Sequence, residues 1–182
     1  MNMIFAPYLR KFVLVFFNEI LVYSKSLEEH MKHLMVVLKE LRKNTLYEKK
    51  SKYTFDKMRV EYLDHIISEE GVATDPAKIE GMIAWPTPKS VRSLRGFLGL
   101  TSYYRKFIRN YGTISKPLTE LLKKDQFSWS QEAQQAFETL KLAMTEAPVL
   151  AMPDFTKPFI LEVDACGQGI GAVLSQKGKT IA

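Results

Sequence analysis

The chain has 182 residues, with 26 Lys+Arg against 20 Asp+Glu, a formal charge of +6 and a sequence pI of about 9.3. Its 46% apolar, 12% aromatic and 25% charged residues make an ordinary globular composition of one or two small domains, which excludes a disordered tail. A single cysteine, Cys166, excludes an internal disulfide framework and a Cys-based zinc site, and the longest apolar stretch, residues 12–23, is broken by Asn18 and Glu19 and is shorter than the ~18–20 residues of a bilayer span. The opening residues are too mixed for a secretory signal, so the expectation is an intracellular protein with no membrane partner, of nuclear, cytoplasmic or mitochondrial origin.

Residues 12–17 and 20–23 are two β-rich runs around Asn18-Glu19, which reads as a hairpin, with Asn18 at the turn because it tolerates positive φ. Ser26 with Glu29 three positions on is a capping box. It opens a helix on which Leu27, Met31, Leu34, Val37, Leu38 and Leu41 recur at helical spacing, ending at Asn44-Thr45. Residues 53–55 and 60–63 suggest a second hairpin around Asp56-Lys57, extended by Ile66-Ile67, with residues 68–71 as a polar turn.

The middle is helical. Asp75-Pro76 places a cap before a proline at the first helical position and opens a helix to about Ala84. Trp85-Pro86-Thr87-Pro88 stops it, Thr87-Pro88 restarts another with the same cap-before-proline chemistry, and helix then runs over residues 90–98, in which Gly96 and Gly99 permit close packing or a bend. Short helices are expected over 102–108 and 117–123, with Lys124-Asp125-Gln126 as a linker. Ser130 caps a last helix to about Thr145, whose buried face is Ala133, Ala136, Phe137, Leu140 and Met144. Two strands, 159–163 and 170–174, close the chain around a turn containing Gly167 and Gly169. The expected fold class is α+β.

The charge is concentrated. Between Lys89 and Lys124 stand Lys89, Arg92, Arg95, Arg105, Lys106, Arg109, Lys116, Lys123 and Lys124 against the single acid Glu120, a local charge of +8 that leaves −2 for the rest. Phe97, Tyr103, Tyr104, Phe107 and Tyr111 are interleaved with them. Cations for phosphates and rings for stacking suit a surface that follows a nucleic-acid backbone. A solvated amphipathic face with its aromatics packed inward has the same composition.

The run from Phe12 to Ser24, followed by Ser26-Leu27-Glu28-Glu29-His30, resembles the catalytic hairpin of gypsy-type LTR-retrotransposon reverse transcriptases. The stretch from Glu61 to Ser68 resembles the end of their palm, and Trp85-Pro86-Thr87-Pro88, Leu94 to Leu100 and Tyr103 to Phe107 resemble their thumb. Lys116 to Leu122, Phe127-Ser128-Trp129 and Ala147 to Leu150 resemble the lead-in to their ribonuclease H domain. Phe159 to Ala165 with Gly169 to Leu174 resembles its first hairpin. The resemblance covers nearly the whole chain in the family's order. It implies a palm fragment at 1–73, a helical thumb and connection at 74–125, and the start of an incomplete ribonuclease H-like domain at 126–182. It also implies that the thumb lies against a template–primer duplex.

The departures from the family pattern decide the expected chemistry. Polymerisation needs two divalent metals held by clustered aspartates. Where the family turn reads Tyr-x-Asp-Asp, this chain has Phe16, Phe17, Asn18 and Glu19. Asn18 is neutral, and Glu19 lengthens its arm by a methylene, when a misplacement of about 1 Å can cost ~100-fold in rate. By the resemblance, the third aspartate and the fingers would lie upstream of Met1. Asp164 matches the first metal-binding aspartate of the ribonuclease H domain, whose partners would lie beyond Ala182. Read from the residues alone, Asn18-Glu19 is a good exposed turn and Asp164 an aspartate at a strand-to-turn junction beside Gly167.

Weaker candidates are His30 and His33, i and i+3 on one helix beside Glu29, a spacing equally suited to a solvated face, and Lys49-Lys50 with Lys52, a short charged loop. Gly167, Gly169 and Gly171 precede no helix, so they are no phosphate loop.

The sequence therefore predicts a retrotransposon-derived reverse transcriptase/ribonuclease H fragment. It would be catalytically inactive, would need no cofactor, and would bind RNA/DNA duplex weakly and without sequence preference through Lys89, Arg92, Arg95, Tyr103, Arg105, Lys106 and Arg109. Self-association through exposed strand edges is also expected. The alternative is a polymerase/ribonuclease H subunit, using Mg²⁺, that is active when another chain supplies the missing carboxylates to Asn18, Glu19 and Asp164.

Overall fold

The computed structural model describes residues 1–47, 49–123, 127–166 and 169–182. The expected linker Lys124-Asp125-Gln126 and the expected glycine turn at Gly167 lie outside them. The chain divides into two compact units, Met1–Tyr62 and Leu63–Ala182, each with its own core.

The first unit opens with a short helix α1 (Asn2–Phe5), followed by strands β1 (Val13–Phe16) and β2 (Glu19–Val22). These two pair antiparallel with Phe16 opposite Glu19, so the two-residue turn is Phe17-Asn18. That corrects the reading of Asn18-Glu19 as the turn. The positive φ also belongs to Phe17 (49°) rather than Asn18. Helix α2 (Leu27–Lys43) starts as its capping box requires, Glu29 N–H donating to Ser26 Oγ at 3.3 Å. Phe5, Val13, Val37 and Leu41 form the core of the unit. Of the apolar stripe read from α2, Val37 and Leu41 are buried, whereas Leu27, Met31 and Leu38 are exposed. Residues 53–55, expected as a strand, are not one; a 3₁₀ turn (Lys50–Lys52) is followed by strand β3 (Arg59–Tyr62).

The second unit begins with Leu63 and Asp64, both at positive φ (51° and 56°). Strands β4 (His65–Ser68) and β5 (Gly71–Thr74) pair antiparallel, so the expected polar turn is a tight reversal at Glu69-Glu70. Asp75 Oδ1 accepts from Ala77 N–H at 2.9 Å and caps α3 (Pro76–Ile83). Ser90, rather than Thr87 ahead of Pro88, caps α4 (Val91–Tyr103), which ends five residues beyond the expected Leu98. The helix expected over 102–108 is absent: α4 ends at Tyr103, Arg105–Phe107 is a single 3₁₀ turn, Ile108 is extended, and α5 (Tyr111–Glu120) begins after Asn110, which adopts φ 58°. Pro117 lies inside α5 rather than opening a helix. Ser130 caps α6 (Gln131–Thr145), and the buried face is the one read from sequence.

Helix α6 does not stand apart from the helices before it. Leu94, Phe97, Leu98, Leu118 and Leu121 share one core with Ala133, Ala136, Phe137 and Leu140. A second core of Met82, Tyr104, Phe107, Ile108, Met144 and Leu150 lies in the same unit. Strands β6 (Ile160–Cys166), β7 (Gly169–Gln176) and β8 (Lys179–Thr180) form an antiparallel sheet in that order. β6 is therefore an edge, and Ile160, Leu161, Val163, Ile170 and Val173 are exposed.

Candidate nucleic-acid interface

The hairpin turn of the first unit carries one carboxylate. Phe17 is 80% exposed and Phe16 half exposed, their rings edge to face with centroids 4.7 Å apart. Glu19 is exposed, and its charge, after burial, helps raise the Tyr62 phenol above its ordinary pKa. No group of three or more His, Cys, Asp or Glu comes together to hold a metal among the described residues. Asp164 lies in the second unit, exposed within β6 and opposite Gly171, not at the strand-to-turn junction read from sequence. Among the described residues, neither Glu19 nor Asp164 sits in a carboxylate cluster that fits a pair of Mg²⁺ ions. His30 and His33 converge on one hydroxyl instead of a cation: Ser24 Oγ lies 3.3 Å from His30 Nδ1 and 2.7 Å from His33 Nδ1. The His33 ring also stacks on Phe12 at 3.9 Å.

The basic stretch of the second unit is differently placed. Lys89 precedes the α4 cap, Arg92 and Arg95 lie i and i+3 on α4, Arg105 and Lys106 occupy the 3₁₀ turn, and Arg109 follows it. All six are exposed. None of the six makes an ion pair among the described residues, whereas Lys123 is paired with Glu120. Unpaired cations on an exposed surface retain their capacity for an outside anion. Arg105 and Arg109 do not share a helical face, because the chain between them leaves helical geometry at Ile108. Lys106 lies over the Phe107 ring, 5.1 Å from its centroid, and burial around its ammonium lowers its pKa.

The two tyrosines divide their work. Tyr104 is fully buried and its hydroxyl donates to the Asp64 carbonyl at 2.9 Å. Tyr103 is 48% exposed, and its hydroxyl donates to the Leu63 carbonyl at 2.7 Å. The basic turn is thus tied to the segment leading into β4 by two long-range hydrogen bonds. At the centre of that junction is His65, which sequence reasoning passed over. It is buried, its Nδ1–H donates to the Leu63 carbonyl at 2.5 Å, and Tyr103, Tyr104 and Phe107 surround it at 5.3–5.7 Å. Its Nε2 is buried with no hydrogen-bond partner among the described residues. Desolvation lowers its pKa, with a smaller lowering from Lys106, against raising effects of the Leu63 carbonyl and Asp64.

Residues 129–181 match a family model described as the RNase H-like domain found in reverse transcriptase. The Retrovirus-related Pol polyprotein from transposon 297 of Drosophila melanogaster is 40% identical over 184 residues, taking in 100% of this chain and 17% of the polyprotein. An uncharacterized mitochondrial protein of Arabidopsis thaliana is 50% identical over 135 residues, covering 73% of this chain and 85% of its own length. The chain belongs to the retrovirus-related Pol family of gypsy and other transposons. Within that family it is a reverse transcriptase/RNase H-like region. The gypsy Pol polyprotein of Drosophila melanogaster, 36% identical over 184 residues, is likewise matched along 18% of its length, so this Pol region spans under a fifth of those polyproteins. The mixed helix and sheet fold is also that of a viral reverse transcriptase. The structure of the foamy viral protease-reverse transcriptase in complex with RNA/DNA hybrid matches 99% of this chain and 25% of its own, with TM-score 0.88 and 22% identity. The same protein in complex with dsDNA matches 93% of this chain and 37% of its own, with TM-score 0.82 and 23% identity.

Proposed function

We propose that this Pol region comprises the end of a reverse-transcriptase palm, a helical thumb and the start of a ribonuclease H-like domain. In this reading it binds nucleic-acid duplex without catalysing DNA synthesis or RNA cleavage. The observation that carries the binding is the set of six exposed cations, Lys89, Arg92, Arg95, Arg105, Lys106 and Arg109, without an ion-pair partner among the described residues. Support comes from the foamy viral enzyme of the same fold, whose structures are complexes with RNA/DNA hybrid and with dsDNA. Phosphate contacts need cations on an ordered surface, not an intact catalytic centre. The half-exposed ring of Tyr103 adds a surface for a sugar or base, its hydroxyl staying on Leu63. Inactivity follows from Asn18, which removes a negative ligand from the turn, and from the solitary settings of Glu19 and Asp164.

Binding is then weak, insensitive to sequence and steeply dependent on salt. Fluorescence-anisotropy titration of a labelled RNA/DNA duplex at several salt concentrations tests it. The Arg92/Arg95/Arg105/Arg109→Ala variant should lower the log–log salt slope by roughly 0.9 for each contacting cation removed. No binding at tens of micromolar protein, or a variant that binds as the parent does, refutes the reading. Primer extension in Mg²⁺ or Mn²⁺ that disappears in Glu19→Gln would establish the alternative of a metal-dependent subunit.

A further inference from the structure

The turn between β7 and β8 builds a second cationic feature, distant in sequence from the basic stretch. Lys177 and Gly178 both adopt positive φ (52° and 72°), which closes a two-residue turn between the paired Gln176 and Lys179. Gln176 is buried and locks the loop opposite. Its Nε2 donates to the carbonyls of Asp154, Lys157 and Pro158 at 2.9, 3.1 and 3.3 Å, and its Oε1 accepts from Asp154 N–H at 2.9 Å. One amide side chain thereby fixes the position of Lys157 relative to Lys177 and Lys179.

These three lysines, with Asp154 and Gln176, line a shallow cleft of about 180 Å³. Asp154 is the single carboxylate of the lining, and its oxygens are already engaged. Oδ1 accepts from Thr156 N–H and Oγ1 at 3.1 and 2.6 Å, and Oδ2 pairs with Lys157 Nζ at 2.9 Å. Lys157 and Lys177 both line the cleft beside this carboxylate. Ammonium groups gathered in one cleft repel, and interaction with Lys157 holds Lys177 below the ordinary lysine pKa. The lining carries three cations against one anion, so a tetrahedral oxyanion in the cleft would relieve this repulsion.

We propose that Lys157, Lys177 and Lys179 form a phosphate-binding cleft, locked by Gln176, that takes a backbone phosphate of a nucleic-acid strand. The choice of a strand as the source rests on the duplex-binding reading above. The chemistry of the cleft is shared with free phosphate. None of the residues assigned to the basic stretch contributes to it.

Amide NMR spectra of the ¹⁵N-labelled protein at low ionic strength provide the test, with inorganic phosphate, chloride and a short RNA/DNA duplex as separate titrants. Phosphate should shift Lys177, Gly178, Lys179 and Thr156 saturably at millimolar concentration, and chloride should not. A Lys157→Gln/Lys177→Asn variant, in which asparagine tolerates the left-handed turn, should weaken phosphate binding at least tenfold while the Gln176 side-chain resonances stay in place. If a strand supplies the phosphate, the duplex shifts the same amides at micromolar concentration, and the variant's log–log salt slope falls by about two. Phosphate shifts without a duplex effect leave the cleft standing as a free-phosphate site and overturn the strand as its source. Absence of saturable shifts, or shifts unchanged in the variant, overturns the cleft itself.

Discussion

Replacing Gly71 by alanine should unfold the second unit far more readily than a methyl group added at Gly81, Gly96, Gly99, Gly112, Gly171 or Gly178. Gly71 sits at φ 137°, and a Cβ built on it would stand 2.1 Å from the Leu150 carbonyl oxygen and 3.2 Å from Val149 Cγ1. An unstrained carbon–oxygen contact needs more than 3 Å, so the two backbones would have to separate by about 1 Å. That separation breaks the bridge in which Val72 N–H donates to the Leu150 carbonyl and Leu150 N–H to the Val72 carbonyl, both at 2.8 Å. Two hydrogen bonds at ~1 kcal/mol each, added to ~1–3 kcal/mol for forcing a side chain into this backbone region, give roughly 3–5 kcal/mol. Displacement of Leu150, 2% exposed in its core, adds to that. Urea denaturation followed by tryptophan fluorescence reports the change, since Trp85 and Trp129 both pack against the core of this unit. Gly178→Ala is the control: φ is 72° but the space is open, so only the conformational cost, ~1–2 kcal/mol, applies. A loss below about 1 kcal/mol for Gly71→Ala, or equal losses for the two variants, would refute the close-approach reasoning.

Gly99 lies within α4 with nothing in the way of a Cβ, so Gly99→Ala should stabilise the protein by roughly 0.5–1 kcal/mol, read as a higher urea midpoint. Gly96→Ala should gain less, because its Cβ would meet Trp85 Cζ2 at 3.4 Å. His65 has its pKa lowered from the ordinary 6.5, chiefly by desolvation, so the unfolded chain binds a proton that the folded chain resists. Stability should therefore be constant above about pH 7.5 and fall as pH drops below 6.5. A His65→Phe variant should lose that part of the slope in denaturation curves between pH 5.5 and 7.5. Phe17 holds positive φ at the β1–β2 turn, so Phe17→Gly should stabilise the first unit by about 1 kcal/mol, and a destabilised hairpin by hydrogen exchange would count against the strain.

The sequence by itself determined what local chemistry controls. Ser26, Asp75 and Ser130 each cap the helix they were read to cap, because a side-chain oxygen two or three residues before a free N–H needs no distant partner. The buried face of α6 and the pairing of residues near 12–23 follow from periodicity in the same way. The family was legible as well, since its motifs are carried in order by contiguous residues. Tertiary structure decided the rest. Which half of the α2 stripe is covered depends on partners that periodicity does not name, so Val37 and Leu41 are buried while Leu27, Met31 and Leu38 are exposed. The end of α4 at Tyr103 coincides with Tyr103 and Tyr104 reaching back 40 residues to the Leu63 and Asp64 carbonyls. Likewise Gly71 reads as one more turn glycine until Leu150 arrives against it from 79 positions away, and Gln176 as a surface amide until it closes on Asp154, Lys157 and Pro158. Hydrogen bonds and close approaches between distant segments leave no periodic trace in the chain; only the packing of the folded unit brings such groups within reach.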